Sequence, residues 1–244
     1  VRIFVGSSRY THTLGVQGDD LKYGGFRMVS GDDWLVLIGR DRPFQPQEPY
    51  ARKHSDRSRA RNEWDKLTGE TFGFPGGSTF KGYNEELDIW SQSERGSFNA
   101  VCAFLRMQGV RWYLPDKEMG EVVPEKWRIP LPDVDRTVRP DFPLRWPMQP
   151  ARRFFLNSTS RDEVMWQLRM GFAVPPEVRG SVVHGINMVH RRDAVKEAHP
   201  EYYALGGGKR QTEHGDAGSP CLSSAELFRL NVKFVRLAYD IYDA

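Results

Sequence analysis

Gly25-Phe-Arg-Met-Val-Ser-Gly-Asp-Asp-Trp-Leu-Val-Leu-Ile-Gly39 decides how the first half of this chain folds. Residues 25–30 alternate apolar and polar, the period of a strand with one face buried. Gly31-Asp-Asp33 supplies turn chemistry, and Trp34–Ile38 returns as an apolar run, so the stretch predicts a β-hairpin. Upstream, Val1-Arg-Ile-Phe-Val-Gly-Ser-Ser8 reads as a buried strand ending in a small-residue turn. Downstream, residues 40–93 are rich in Pro, Gly, Arg and Asp without a sustained period. A structureless loop of that length is uncommon, so the segment reads as an insertion with some structure of its own.

Regularity returns at Ser97. Phe98, Val101, Cys102, Leu105 and Arg106 fall at helical spacing, and Gly109 is a natural stop. Val110-Arg-Trp-Tyr-Leu114 follows as a short strand closed by Pro115, with 121–124 and 127–131 as edge strands limited by proline. Pro124, Pro130, Pro132, Pro140 and Pro143 then mark the expected domain boundary. Beyond it, 151–156 and 181–186 read as strands. Ser160-Arg-Asp-Glu163 and Ser223-Ser-Ala-Glu226 read as capping boxes that open helices. Asp193–His199 is a short helix stopped by Pro200. In the last helix Leu227, Leu230, Phe234, Val235 and Ala238 form the apolar face. Strand and helix in alternation predict parallel βα units.

Composition excludes several classes. The 244 residues carry 35 Lys plus Arg against 32 Asp plus Glu, with 39% hydrophobic and 12% aromatic residues, a globular balance. The longest apolar run, Trp34–Ile38, is far short of the roughly 20 residues that span a bilayer. Cys102 and Cys221 form one bridge at most and are not spaced as zinc ligands. Of the 35 basic residues 26 are Arg, and they are scattered. The pattern suits an anionic or polyhydroxylated partner and not nucleic acid, which wants a basic stripe; the run Arg52–Arg61 reads as a solvated face. The chain begins with Val1, and the expectation is a piece of a longer protein whose signal peptide lies outside it.

Four residues stand out as binding candidates. Arg153, at the end of the predicted strand 151–156, offers a planar fork of donors to sugar hydroxyls or a carboxylate. His184 sits where His184-Gly-Ile-Asn187 ends the predicted strand 181–186, and strand ends are where βα folds gather ligands. Trp166 offers an aromatic face, and Glu201 is the best-placed carboxylate. His184, His190, His199 and His214, with Glu197, Glu201 and Glu213 nearby, lack a metal-ligand spacing. Gly206-Gly-Gly208 before Lys209-Arg210 reads as a β-turn, because the glycines do not sit between a strand and a helix. No cofactor and no metal are expected.

Taken together, Phe98–Pro115, Gly120-Glu-Val-Val-Pro124, Arg136-Thr-Val-Arg-Pro-Asp-Phe142, His199-Pro-Glu-Tyr-Tyr203, Gly207-Gly-Lys-Arg210 and Pro220-Cys-Leu-Ser-Ser224 resemble the bacterial family called domain of unknown function 4838. That resemblance implies an exported or periplasmic protein concerned with glycans. The implied architecture is like that of alpha-glucuronidases and family 20 hexosaminidases: a small α+β domain followed by a (β/α)8 barrel of TIM type. On this chain the α+β domain is expected over residues 1–139, with its insertion at 40–93, and the first βα units of a truncated barrel over 140–244.

Pro140, Phe142 and Arg145 match the stretch that opens the family 20 barrel, and Arg153 falls at its sugar-binding Arg. Pro150 and Trp146 depart from its Asp and Gly. The implied chemistry is glycosidic cleavage between two carboxyl groups. A barrel needs about 250 residues, so the catalytic pair is expected mostly outside this stretch, leaving Arg153, His184, Trp166 and Glu201 as saccharide contacts. The alternative is a non-catalytic carbohydrate-binding or surface protein on the same scaffold.

Overall fold

The computed structural model describes residues 1–45, 59, 62, 66, 83–84, 86–145, 160–174, 187–190, 193–213 and 218–241. The chain divides into two compact units: Val1–Phe44 with Gly82–Pro176, and Gln45–Lys81 with Glu177–Ala244. Residues 140–145 and the helix that follows them thus pack with the first unit. The predicted strands 151–156 and 181–186 lie outside the described residues. Among the described residues the one sheet of more than two strands is a mixed four-stranded sheet, and no barrel is formed.

Unit 1 is built on β1 (Arg2–Val5), α1 (Arg9–Thr13), β2 (Phe26–Ser30) and β3 (Trp34–Gly39). The short pieces β4 (Asp41–Arg42), β5 (Tyr83–Asn84), β6 (Ile89–Trp90) and β7 (Glu94–Arg95) lead into α2 (Gly96–Met107). Then come β8 (Arg111–Trp112), α3 (Lys117–Gly120), β9 (Glu121–Val122), β10 (Asp135–Val138) and α4 (Arg161–Arg169). The sheet runs β1-β3-β2-β10, with β1 parallel to β3 and the other pairs antiparallel.

The predicted hairpin is present, with Met28 opposite Leu37 and Val29 opposite Val36. Because successive side chains alternate across a strand, β3 feeds two cores. Leu35 and Leu37 join Met28, Ala100 and Phe104 beneath α2. Val36 and Ile38 join Val16 on the other face. The central strand is therefore buried on both sides, which its unbroken Leu-Val-Leu-Ile permits.

Two expectations are corrected here. β1 is an edge strand, not a buried one: Ile3 is 52% and Val5 57% exposed. Pro124–Pro143 is not a break between domains, because Asp135–Val138 pairs with β2 as the opposite edge of the same sheet. Pro132 and Pro140 flank that strand, and an edge accommodates them since it needs only half of its ladder donors. Arg27 ties it down through an ion pair with Asp135 at 3.1 Å.

The α2 helix meets the predicted stop, with Gly109 at φ 94°. Cys102 packs with Val110 and Trp112 behind it. Burial pushes the Cys102 thiol up to about 11. Cys221, in unit 2, is partly exposed, and hydrogen bonding at Ser223 holds its thiol below the ordinary range. One of the two thiols is therefore expected to react with a disulfide reagent in the native protein and both after denaturation, since the thiolate is the reactive form. Titration of C221S settles it: a reactive native thiol in that variant contradicts the packing.

Unit 2 contains α5 (Asn187–His190), α6 (Asp193–Ala198), a 3-10 turn (Pro200–Tyr202), β11 (Leu205–Gly206), β12 (Lys209–Arg210) and α7 (Ala225–Ile241). Tyr203 is its anchor: fully buried, its hydroxyl donates to the His190 carbonyl. The β11–β12 hairpin turns through Gly207 and Gly208 at φ 57° and 78°. Two successive positive φ values are what a two-residue primed turn requires, so the glycines are turn residues, as the sequence indicates. The cap of α7 is Ser224, whose Oγ accepts from Leu227 N at 3.2 Å. It lies one residue later than the predicted box. Ser223 instead points its hydroxyl at Cys221 Sγ, 3.2 Å away. No helix among the described residues is long and apolar enough to cross a membrane.

Candidate functional site

Of the four residues singled out, Arg153 and His184 lie outside the described residues. Trp166 belongs to unit 1 and Glu201 to unit 2.

Trp166 sits on α4, which starts at the predicted cap: Ser160 Oγ accepts from Glu163 N at 3.5 Å. Its indole packs against the Cys102–Val110–Trp112 cluster, and Nε1 donates to the Trp112 carbonyl at 3.2 Å. Phe172 meets it edge to face at 5.9 Å. With its one donor engaged and its ring in a core, Trp166 here acts in packing. Trp112 beside it is buried, donates to Glu121 Oε1 at 2.9 Å, and has Arg106 and Arg169 over its ring at 5.6 and 5.4 Å. Arg145 donates to the carbonyls of Gly171, Phe142 and Tyr23.

Glu201 lies in a different setting. The 3-10 turn opens with Pro200, whose fixed φ suits a first helical position. A 3-10 helix has about three residues per turn, so positions i and i+3 eclipse. His199 and Tyr202 accordingly stack, with ring centroids 4.5 Å apart and planes 8° from parallel. Glu201 Oε1 accepts from His199 Nδ1 at 3.1 Å, and both side chains are about half exposed, 42% and 56%. Backbone hydrogen bonding, then the His199 side chain, hold the Glu201 carboxyl below its ordinary value, with the Arg210 charge adding to the effect. Arg210 is itself oriented by donation to the Tyr203 carbonyl at 2.8 Å. Burial and the nearby Glu201 and Glu226 charges push the Tyr202 phenol up. Cys221 N donates to the Tyr202 carbonyl at 2.8 Å, which fastens the turn to the segment leading into α7.

The result is a stacked pair of rings bordered by a carboxylate and a guanidinium, on rigid short-range structure. Its chemistry is recognition: an apolar ring surface, an acceptor and a donor fork. A carboxyl group whose pKa is depressed stays ionised through neutral pH and does not serve as the protonated acid of a glycosidase. The sign of the coupling is fixed by that depression: the stability Glu201 contributes is fully present above its unfolded value of 4.5 and is lost as pH falls through the folded one. The difference in urea midpoint between wild type and E201Q is therefore expected to shrink as pH drops below 4.5. A difference that grows in acid contradicts the pairing.

Sequence reasoning singled out Glu201 as a contact and named His199, Tyr202 and Arg210 only within the histidine-rich stretch and the quoted motifs. The signal for them was Pro200 between a histidine and two tyrosines, which sets a 3-10 turn and hence the stack. Among the described residues no three His, Cys, Asp or Glu side chains gather to hold a metal ion. Comparison of the chain with protein-family models, with curated proteins and with solved structures finds no match.

Proposed function

We propose that this chain is part of an exported, glycoside-hydrolase-like, carbohydrate-active protein, and that the 3-10 turn surface of unit 2 contacts a saccharide. The observation that carries the reading is the partly exposed His199–Tyr202 stack with Glu201 and Arg210 at its border. A pyranose presents a C–H face that covers aromatic rings, and hydroxyls at its rim that donate to a carboxylate and accept from a guanidinium. The motif resemblance across His199–Ser224 points the same way. Cleavage belongs to a carboxyl pair expected mostly beyond these residues, with Glu201 as a contact.

A second reading, a carbohydrate-binding protein without catalysis, is favoured by one feature: Glu201 is exposed and held ionised, a poor general acid. Two assays separate the readings. Oligosaccharide binding is expected for wild type and to weaken by about tenfold or more in Y202A and E201Q, the loss of one good contact. Aryl glycosides are expected to show no turnover. Turnover that vanishes in E201Q would overturn the assignment of Glu201 as a contact only.

A further inference from the structure

We propose that the open edge of β1 pairs with the same strand of a second copy of this chain, antiparallel and across a two-fold axis at Phe4, so that two four-stranded sheets become one continuous sheet. The inference concerns unit 1 and does not rest on the saccharide reading.

The ladder decides which backbone groups are on offer. Arg2 N donates to the Asp33 carbonyl at 2.8 Å and Gly6 N to the Leu37 carbonyl at 3.0 Å. Residues 2, 4 and 6 therefore turn their peptide groups toward β3, and in a parallel ladder the alternate residues Ile3 and Val5 turn theirs away. Among the described residues no strand lies on that outer side. A row of unpaired donors and acceptors is a template for another strand unless charge or proline blunts it. Both edge strands of the sheet are 4 residues long, so chemistry and not length separates them. β10 is Asp135-Arg-Thr-Val138, flanked by Pro132 and Pro140. β1 is Arg2-Ile-Phe-Val5, without proline and with its charge at one end. Ile3, Val5 and Tyr10 are each more than half exposed, and Tyr10 stacks on Phe4 with ring centroids 5.7 Å apart.

The occupant follows from the register. In an antiparallel pair, two residues exchange both of their hydrogen bonds only where each turns its peptide groups toward the other strand. A two-fold axis at Phe4 meets that condition: it sets Ile3 opposite Val5 of the second copy, and Val5 opposite its Ile3. Both outward residues are then paired, with apolar side chains opposed. Phe4 meets its own counterpart in the close, non-hydrogen-bonded position, where an aromatic pair adds to stability. The same register sets Arg2 opposite Gly6, which offers no side chain to collide with. A methyl on Gly6 would lie 3.7 Å from Asp41 Oδ2, so the incoming guanidinium comes within reach of a carboxylate. Asp41 is exposed, and its Oδ1 accepts from Ser97 N at 3.0 Å. In the single chain Arg2 pairs with Asp33 at 3.0 Å, both side chains well exposed, an ion pair of small worth that does not hold it back. A patch that complements itself in shape, hydrogen bonding and charge is what a two-fold interface requires, and the blunted β10 edge stops the assembly at two copies.

The test is the mass of the full chain by sedimentation velocity across a dilution series. A dimer that dissociates on dilution is expected. I3K sets a charge opposite Val5 of the second copy, and V5P removes a donor that β3 does not use. Each is expected to weaken association by about tenfold or more. T137K, on the exposed β10 edge, is expected to leave association unchanged. A wild type that stays monomeric up to about 1 mM overturns the proposal. So do masses that climb beyond a dimer, I3K and V5P that associate as the wild type does, or T137K that dissociates as they do. Should I3K and V5P fail to fold, hydrogen exchange of the wild type decides. The Ile3 and Val5 amides are expected to gain protection as the chain is concentrated, and amides that exchange equally fast at both ends of the series contradict the pairing.

Discussion

G39A is expected to cost unit 1 about 3 kcal/mol or more, a large part of the roughly 5–15 kcal/mol that holds a domain together. A methyl group on Gly39 would lie 2.4 Å from the Gly25 carbonyl oxygen and 2.6 Å from both Cα and C of Gly96. All three are backbone atoms, so no rotamer change relieves the clash. The reverse view gives the same result: a methyl on Gly96 would lie 2.5 Å from the Gly25 oxygen and 2.7 Å from Arg40 N. At this crossing the end of β3 and the start of α2 touch backbone to backbone. The buried Ser97 hydroxyl seals it, accepting from Gly39 N at 3.1 Å and donating to Gly39 O at 3.3 Å. The control is G15A. Gly15, unlike Gly39, has positive φ, 70°, but a methyl there meets nothing within 4 Å. It carries only the conformational penalty of about 1–2 kcal/mol. Urea unfolding followed by tryptophan fluorescence is expected to show a much larger midpoint loss for G39A. Equal losses would mean that the crossing is not as tight as described.

E94A is expected to be the most damaging loss of a polar group, at about 3–5 kcal/mol, the usual cost of removing one partner from a buried ion pair. Glu94 and Arg40 are 12% and 23% exposed and meet at 2.5 Å, with a further hydrogen bond from Arg40 Nη2 at 2.7 Å. Truncation removes the carboxylate that faces the Arg40 guanidinium and also deprives Tyr23 N of its acceptor at a strained position. Replacing both partners with apolar residues of similar shape also removes the desolvated guanidinium charge, so R40M/E94L is expected to be more stable than E94A alone. Denaturant midpoints of wild type, both single variants and the double variant make the cycle. A double variant no better than E94A would place the whole effect in the Tyr23 turn.

The elements read correctly from sequence were those whose pattern reports a single strong force. The Gly25–Gly39 hairpin carries the alternation of half-buried strands, and Phe98–Arg106 carries helical spacing ended by Gly109. The edges were harder. Asp135-Arg-Thr-Val138 is mostly exposed and lacks an apolar run, so nothing in its composition separates it from the proline-rich loop around it. β1 is apolar yet exposed, because hydrophobicity alone does not reveal an edge. Ser223 and Ser224 are equivalent as caps until the first helical turn is placed. Glu201 was singled out as a contact at most, within what the resemblance implies, and nothing in its spacing marks the stack beside it.

The central claim is that the 3-10 turn of unit 2 contacts saccharide through the His199–Tyr202 stack. Its most direct measurement is a glycan-array screen of the wild-type chain repeated with Y202A and E201Q, each checked for native unfolding behaviour. Retained glycans that both variants lose are the result expected here. No glycan retained by the wild type, or the same set retained by both folded variants, would contradict it.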